Sequence, residues 1–272
     1  MLARVQEKRG RSFGRVGAVV AAAALVLAGA LAAVGVSAAM RAWPVRCDVA
    51  HPGACTRVLF VGNSYTYVND LPTVFARLAA AGGHPVETAM SAPGGATLAD
   101  HLASADTMGL IRGSHPDVVV LQEQSVTPVT PYGRAGMEQA AAGLVAAIRS
   151  AGGTPLLFET WGHRDGWPSG GVPDYGSMQA EIDASYAAVG ADLRIAVAPA
   201  GIAWLGVASH DPEVGLWADD GSHPAVAGTY LAACVLYGAV FRQSPVGLAE
   251  TGGLDAGTAG VLQRAAAGAA GF

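Results

Sequence analysis

The chain has 272 residues, of which 14% are charged and 51% hydrophobic, and carries a formal net charge of −5. That length holds one ordinary domain with its core buried against a sheet, and the composition excludes general disorder. The acidic balance excludes nucleic acid, or an anionic membrane face, as a partner held by bulk charge.

Residues 1–40 read as an export segment. Arg4, Lys8, Arg9, Arg11 and Arg15 precede an uncharged stretch from Val16 to Met40, with the small-residue exit Val36-Ser37-Ala38-Ala39 near its end. This is the pattern of a signal peptide. It is also long enough, at ~20 residues, to span a bilayer as an uncleaved anchor. Both readings place the rest of the chain outside the cytoplasm, either secreted or touching the membrane only through this segment. Without it, 11 basic groups face 20 acidic ones. Residues 41–56 form a lead-in in which Cys47 and Cys55 flank Ala50-His51-Pro52-Gly53-Ala54, and an oxidising compartment would let them pair. Cys234 lies in an apolar helical run and reads as a buried small hydrophobe. No CxxC motif or closely spaced His/Cys set points to a metal.

Apolar strand-like runs then alternate with helix-like stretches. Strands are predicted at Val58–Val61, Val86–Met90, Val118–Leu121, Pro155–Phe158 and Leu193–Ala198. Helices are predicted at Leu71–Ala81, Thr97–Ala105, Tyr132–Ala151, Tyr175–Gly190 and Ala225–Phe241. The alternation argues for βαβ units. The strands are continuously apolar, as a sheet covered on both faces requires. The expected fold is a three-layer α/β/α sandwich around a mainly parallel, flavodoxin-like five-stranded sheet. It would occupy residues 57–248, with a Gly/Ala-rich tail from 249 to 272 that reads as a short peripheral helix or a frayed end.

Two motifs carry chemistry. Gly62-Asn63-Ser64-Tyr65-Thr66 puts a hydroxyl at the C-terminal end of the first long strand, where open α/β sheets present reactive groups. Asp220-Gly221-Ser222-His223-Pro224 puts a carboxylate three residues before an imidazole, so one turn can supply a base and the group that orients it. Ser64, His223 and Asp220 are the three side chains of a serine hydrolase. A plain structural reading makes Ser64 a turn cap, Asp220 an N-cap of the last long helix and His223 a first-turn residue. At the end of the fourth strand, Trp161, His163 and Arg164 are candidates to line a substrate pocket, with Tyr65 a weaker one. Trp204, Trp217 and Tyr230 read as core or loop anchors, and His51, His84, His101, His115 and His210 as loop or cap residues.

With these motifs in order, residues 57–248 resemble the SGNH (GDSL-like) hydrolase superfamily. The resemblance assigns the nucleophile to Ser64, with Asn63 replacing the commoner aspartate. It assigns one oxyanion-hole N–H to Ser64 and another to a glycine after the second strand, for which Gly95 fits better than Gly94. The family's third block has an asparagine; this chain departs from it with Gln122-Glu123-Gln124. Spacing from the strand favours Gln124 as the amide donor, and glutamine-bearing relatives favour Gln122. The resemblance implies an ester hydrolase without metal or organic cofactor, acting on a small-molecule or glycan ester such as an O-acetylated carbohydrate. The alternatives are acyl transfer by the same Ser-His-Asp site, a non-catalytic carbohydrate-binding protein on the same scaffold, and, more weakly, a flavodoxin-like phosphate loop at Gly62–Thr66.

Overall fold

The computed structural model describes residues 40–41 and 55–272. The expected signal or anchor, nearly all of residues 1–40, lies outside the described residues, as does Cys47. Cys55 is disulfide-bonded, and Cys234 is a buried free thiol. Among the described residues no helix is long and apolar enough to cross a membrane.

Six strands make one sheet: β1 (Met40–Arg41), β2 (Thr56–Val61), β3 (Val86–Ser91), β4 (Val118–Leu121), β5 (Thr154–Glu159) and β6 (Ala196–Pro199). Their order is β1-β3-β2-β4-β5-β6. From β2 to β6 every pairing is parallel, which is the expected five-stranded flavodoxin-like arrangement. The short β1 adds an antiparallel pair at the outer edge of β3, with Met40 opposite Ser91.

Successive strand residues point to opposite faces, and both faces are dry. Val58 and Phe60 of β2 enter one core, while Leu59 and Val61 enter the other. Nine helices are described: α1 (Ser64–Tyr67), α2 (Leu71–Ala81), α3 (Leu98–Ala103), α4 (Ala105–Gly113), α5 (Pro131–Ser150), α6 (Tyr175–Leu193), α7 (Ala200–His210), α8 (Val226–Phe241) and α9 (Ala256–Ala270). Helices α2, α7, α8 and α9 cover the first face, and α3 to α6 cover the second. In α2 the buried residues Leu71, Val74, Phe75, Leu78 and Ala79 recur at helical spacing, and each large one fully buried contributes about 1.5–3 kcal/mol.

Four elements differ from expectation. The run predicted as a strand from Leu193 straddles two elements, because Leu193 ends α6 and Arg194 turns the chain in a left-handed conformation before β6. An apolar run alone does not distinguish a helix end from a strand start. The helix predicted over Thr97–Ala105 is broken at Ser104, whose side chain accepts from the Thr107 N–H and starts α4. Helix α7 follows β6 with no intervening loop, so no turn signal announces it. Of the two readings of the Gly/Ala-rich tail the helix holds, but α9 is neither short nor peripheral: it runs over 15 residues and places Leu262 and Ala266 in the first core.

Candidate active site

The loops that follow β2, β3, β4 and β5, together with a hairpin between α7 and α8, carry the residues of the site. Gly62 follows β2, where an added Cβ would collide with Thr66 Oγ1 and the Gln122 side chain, so only glycine fits. Asn63, almost wholly buried, caps the short helix that begins with Ser64. Its Oδ1 accepts from the Tyr65 N–H, and its Nδ2 donates to Ala96 O at 3.0 Å. An aspartate could not make that second bond, which gives a local reason for asparagine here. Ser64 is the first residue of α1, so its backbone N–H has no acceptor within the helix.

Ser64 and His223 meet. His223 Nε2 lies 2.9 Å from Ser64 Oγ, and His223 Nδ1 lies 2.6 Å from Asp220 Oδ2. Asp220 Oδ1 also accepts from the backbone N–H groups of Ser222 and His223, each at 2.9 Å. The Ser222 N–H first, and then the His223 side chain, pull the Asp220 carboxyl down to about 2, so it is ionised at any ordinary pH. Asp220 does not cap the following helix: the N-cap of α8 is Ala225, without a side-chain cap. The Asp220–His223 segment is instead the tip of a hairpin, closed by the Trp217–Pro224 bridge and the Ala218 N–H to His223 O bond.

The two glutamines have different environments. Gln122 is fully buried and its amide is committed on both sides. Its Oε1 accepts from the Asn63 N–H and Thr66 Oγ1, while Nε2 donates to Asn63 Oδ1 and Glu123 O. Both N–H groups are therefore used in shaping the serine loop. Gln124 is half-buried; its Oε1 accepts from Val126 and Thr127 N–H groups, and its Nε2 makes one long contact of 3.5 Å with Ser125 Oγ. Gly95 is exposed on the Ala92–Thr97 loop with φ +72°, a conformation that favours glycine.

Among the expected pocket residues, Trp161 and Tyr65 lie beneath the site rather than facing it. Trp161 has no exposed surface and Tyr65 only 3%, so neither offers a face to a substrate. Their rings stack at 4.8 Å, and Trp161 stacks in turn on Trp204 at 3.9 Å. Flat aromatic residues fill the space under a polar crevice, and sequence alone cannot separate that packing from a pocket wall. Arg164 is exposed and braces the base segment: its N–H donates to Gly221 O at 2.7 Å. His163 is half-buried, with Nε2 3.1 Å from Ser125 Oγ. Burial lowers its pKa, opposed by the negative charge of Asp220.

Two contributors were missed. His101, read as a loop or cap residue, is buried in α3. Its Nε2 donates to Gly62 O at 2.7 Å and its Nδ1 accepts from Thr107 Oγ1 at 3.0 Å. No local motif marks it, since its partner lies 39 residues away. Glu123, flanked by the two glutamines, is buried, and burial raises its carboxyl to about 7. It accepts from the N–H groups of Leu98 and Gln124, so it ties the start of α3 to the loop that carries Gln124. Beside it, Thr97, Thr127, Thr130, Tyr132, Gln139 and Trp167 line a cavity of about 540 Å³. Among the described residues no cluster of three or more His, Cys, Asp or Glu side chains is arranged to hold a metal.

No family model and no curated protein matches the chain. Solved structures do. A protein from Slackia heliotrinireducens assigned to the SGNH hydrolases is 31% identical over 68% of this chain and 98% of its own, with a TM-score of 0.59. This chain belongs to the SGNH hydrolases. A DUF4886 family protein from Bacteroides uniformis superposes with a TM-score of 0.69, covering 79% of this chain and 94% of its own at 18% identity. An acetyl xylan esterase, AlAXEase, gives 0.55 over 68% and 99%, also at 18% identity. These two relations establish the shared fold. Within this SGNH hydrolase, Ser64 follows β2, Gly95 follows β3, Gln122 and Gln124 follow β4, and His223 stands on the hairpin before α8.

Proposed function

We propose that this SGNH hydrolase cleaves carboxylic esters through an acyl-enzyme on Ser64. One observation carries the reading: the unbroken hydrogen-bond chain Ser64 Oγ–His223–Asp220, at 2.9 and 2.6 Å. His223 takes the Ser64 proton as Oγ attacks the ester carbon, and Asp220 holds the imidazole tautomer and stabilises its charged form. The carbonyl oxygen becomes an oxyanion, for which the Ser64 N–H, the Gly95 N–H and Gln124 Nε2 are the donors. His223 then protonates the departing alcohol. Water completes the cycle by the reverse proton path, releasing the acid. Gln122 cannot serve as a donor because both its amide hydrogens are engaged.

For the substrate, the 540 Å³ cavity beside Glu123 supports an O-acylated carbohydrate. It combines two aromatic side chains, three threonine hydroxyls and an amide with no cationic group, a lining that suits a neutral polyhydroxylated ring. The fold shared with an acetyl xylan esterase is in keeping with this. The disulfide at Cys55 supports an oxidising, extracytoplasmic setting.

The test is hydrolysis of p-nitrophenyl acetate, its longer acyl homologues and acetylated oligosaccharides by the full chain beside Ser64→Ala. Turnover that disappears with Ser64 is the expected result. Turnover unchanged in Ser64→Ala removes the mechanism. If acetylated sugar occupies the cavity, Trp167→Ala raises KM for the oligosaccharide and leaves p-nitrophenyl acetate unchanged; equal effects on both overturn that placement.

A further inference from the structure

We propose that Tyr65 and Ser222 form a clasp that holds the nucleophile segment and the base segment at working distance through the whole catalytic cycle. The proposal rests on the Ser64–His223 mechanism above. Ser64 and His223 are 159 positions apart and meet through one hydrogen bond. Their immediate neighbours meet through another: the Tyr65 phenol oxygen is 2.7 Å from Ser222 Oγ. The two segments are thus joined by two parallel rungs.

The rungs have different fates. In the acyl-enzyme, Ser64 Oγ is bonded to the acyl carbon and the Ser64 proton has left with the alcohol, so the Ser64–His223 rung no longer exists. His223 must nevertheless stay in place to take a proton from the incoming water while the water oxygen attacks the acyl carbon. Collapse then returns that proton to Ser64 Oγ and frees the acid. The Tyr65–Ser222 rung takes no part in these transfers and persists.

The surroundings make this rung rigid. Tyr65 is buried, so water does not compete for its hydroxyl. Trp161 fixes both partners: its ring lies parallel to Tyr65, at 1° between planes, and its Nε1–H donates to Ser222 O at 3.0 Å. The Tyr65 ring also packs edge-on to the His223 imidazole, with centroids 5.6 Å apart. Tyr65 and Ser222 are positioning residues, acting on the reaction only through Ser64 and His223.

The test compares wild type, Ser64→Ala, Tyr65→Phe, Ser222→Ala and the double variant Tyr65→Phe/Ser222→Ala. Each is assayed for p-nitrophenyl acetate kinetics, for labelling rate with a fluorophosphonate and for thermal unfolding. The expected result is a kcat about tenfold lower in each single variant with KM unchanged, and a double variant no slower than either single. Labelling, which needs only the attack step, falls less than kcat. A kcat within twofold of wild type in the folded single variants, or losses that multiply in the double, overturns the clasp. Should Tyr65→Phe fail to fold, Ser222→Ala alone decides, because it removes the same bond from the less buried side. Wild type that is neither active nor labelled, or activity that survives Ser64→Ala, overturns the parent mechanism instead, and the two failures are distinguishable.

Discussion

The segment around Ser64 and the segment around His223 reach the same point by opposite construction. Gly62–Thr66 is largely buried, and nearly every polar group in it is held from elsewhere: Gln122, Ala96 and His101 all bond to it. Asp220–His223 stands at a partly exposed hairpin tip whose internal order is its own, with one carboxylate accepting from two backbone N–H groups and an imidazole, while Tyr65, Trp161 and Arg164 dock it from outside. The nucleophile must be fixed against oxyanion donors from two other loops, which demands long-range bonds. The base takes its orienting carboxylate from its own four-residue turn, and bonds from Tyr65, Trp161 and Arg164 dock that turn as a unit.

That contrast is open to direct attack. The largest effect is expected at the shared bond: Ser64→Ala and His223→Ala should each lower kcat by at least about 10⁴-fold with unfolding unchanged. Asp220→Asn should cost less, about 10³-fold, because water reaches this carboxylate and can partly replace it. Equal losses at Asp220 and His223 would show that the exposed turn is no more forgiving than the buried loop.

The glutamines sharpen the same comparison. Gln122→Ala strands the Asn63 N–H and the Thr66 hydroxyl in a dry site, so it should destabilise by about 2–4 kcal/mol in denaturant unfolding. Gln124→Ala loses bonds in a half-exposed loop where water can replace Oε1, so it should cost at most about 1 kcal/mol of stability and lower kcat about 100-fold. A reversed pattern would exchange the two roles.

A further test concerns pH. Burial raises Glu123 from 4.5 to about 7, so the folded state binds its proton more tightly than the unfolded state does. Its contribution to stability is therefore complete below about pH 4.5, declines as pH rises through the interval to about 7, and is flat above it. Glu123→Gln should remove that slope, measured as the difference between wild-type and variant unfolding curves across pH 4–8. An unchanged difference would mean that Glu123 is ionised in the folded protein.

The legible and illegible parts of the chain follow the same division. The base segment was readable because its chemistry is local: Asp220 and His223 are three apart and bond within one turn. The strands were readable because Val58–Val61 and Val118–Leu121 are apolar on both faces, and their alternation with helices implied a mainly parallel sheet. Ser64 could be placed by its strand end, but what holds it could not. His101 and Gln122 act on partners 39 and 59 positions away, and nothing in their flanking residues records those partners. Trp161 and Tyr65 were misplaced for a related reason, since an aromatic side chain at a strand end has the same appearance whether it floors a crevice or walls it. Helix α7 escaped because it lacks the turn that would separate it from β6.

The distance along the chain between Ser64 and His223 also sets the order in which the molecule can come to life. Every pairing of β2 with β3 and β4 can form before residue 223 has left the ribosome, yet no base is then available to Ser64. Contacts of such long separation are late to close in a folding chain. On the proposed mechanism an emerging or half-folded polypeptide would be inert toward esters, and recovery of activity on refolding should trail recovery of helix signal. The onset of activity would then report that the hairpin leading into α8 has docked.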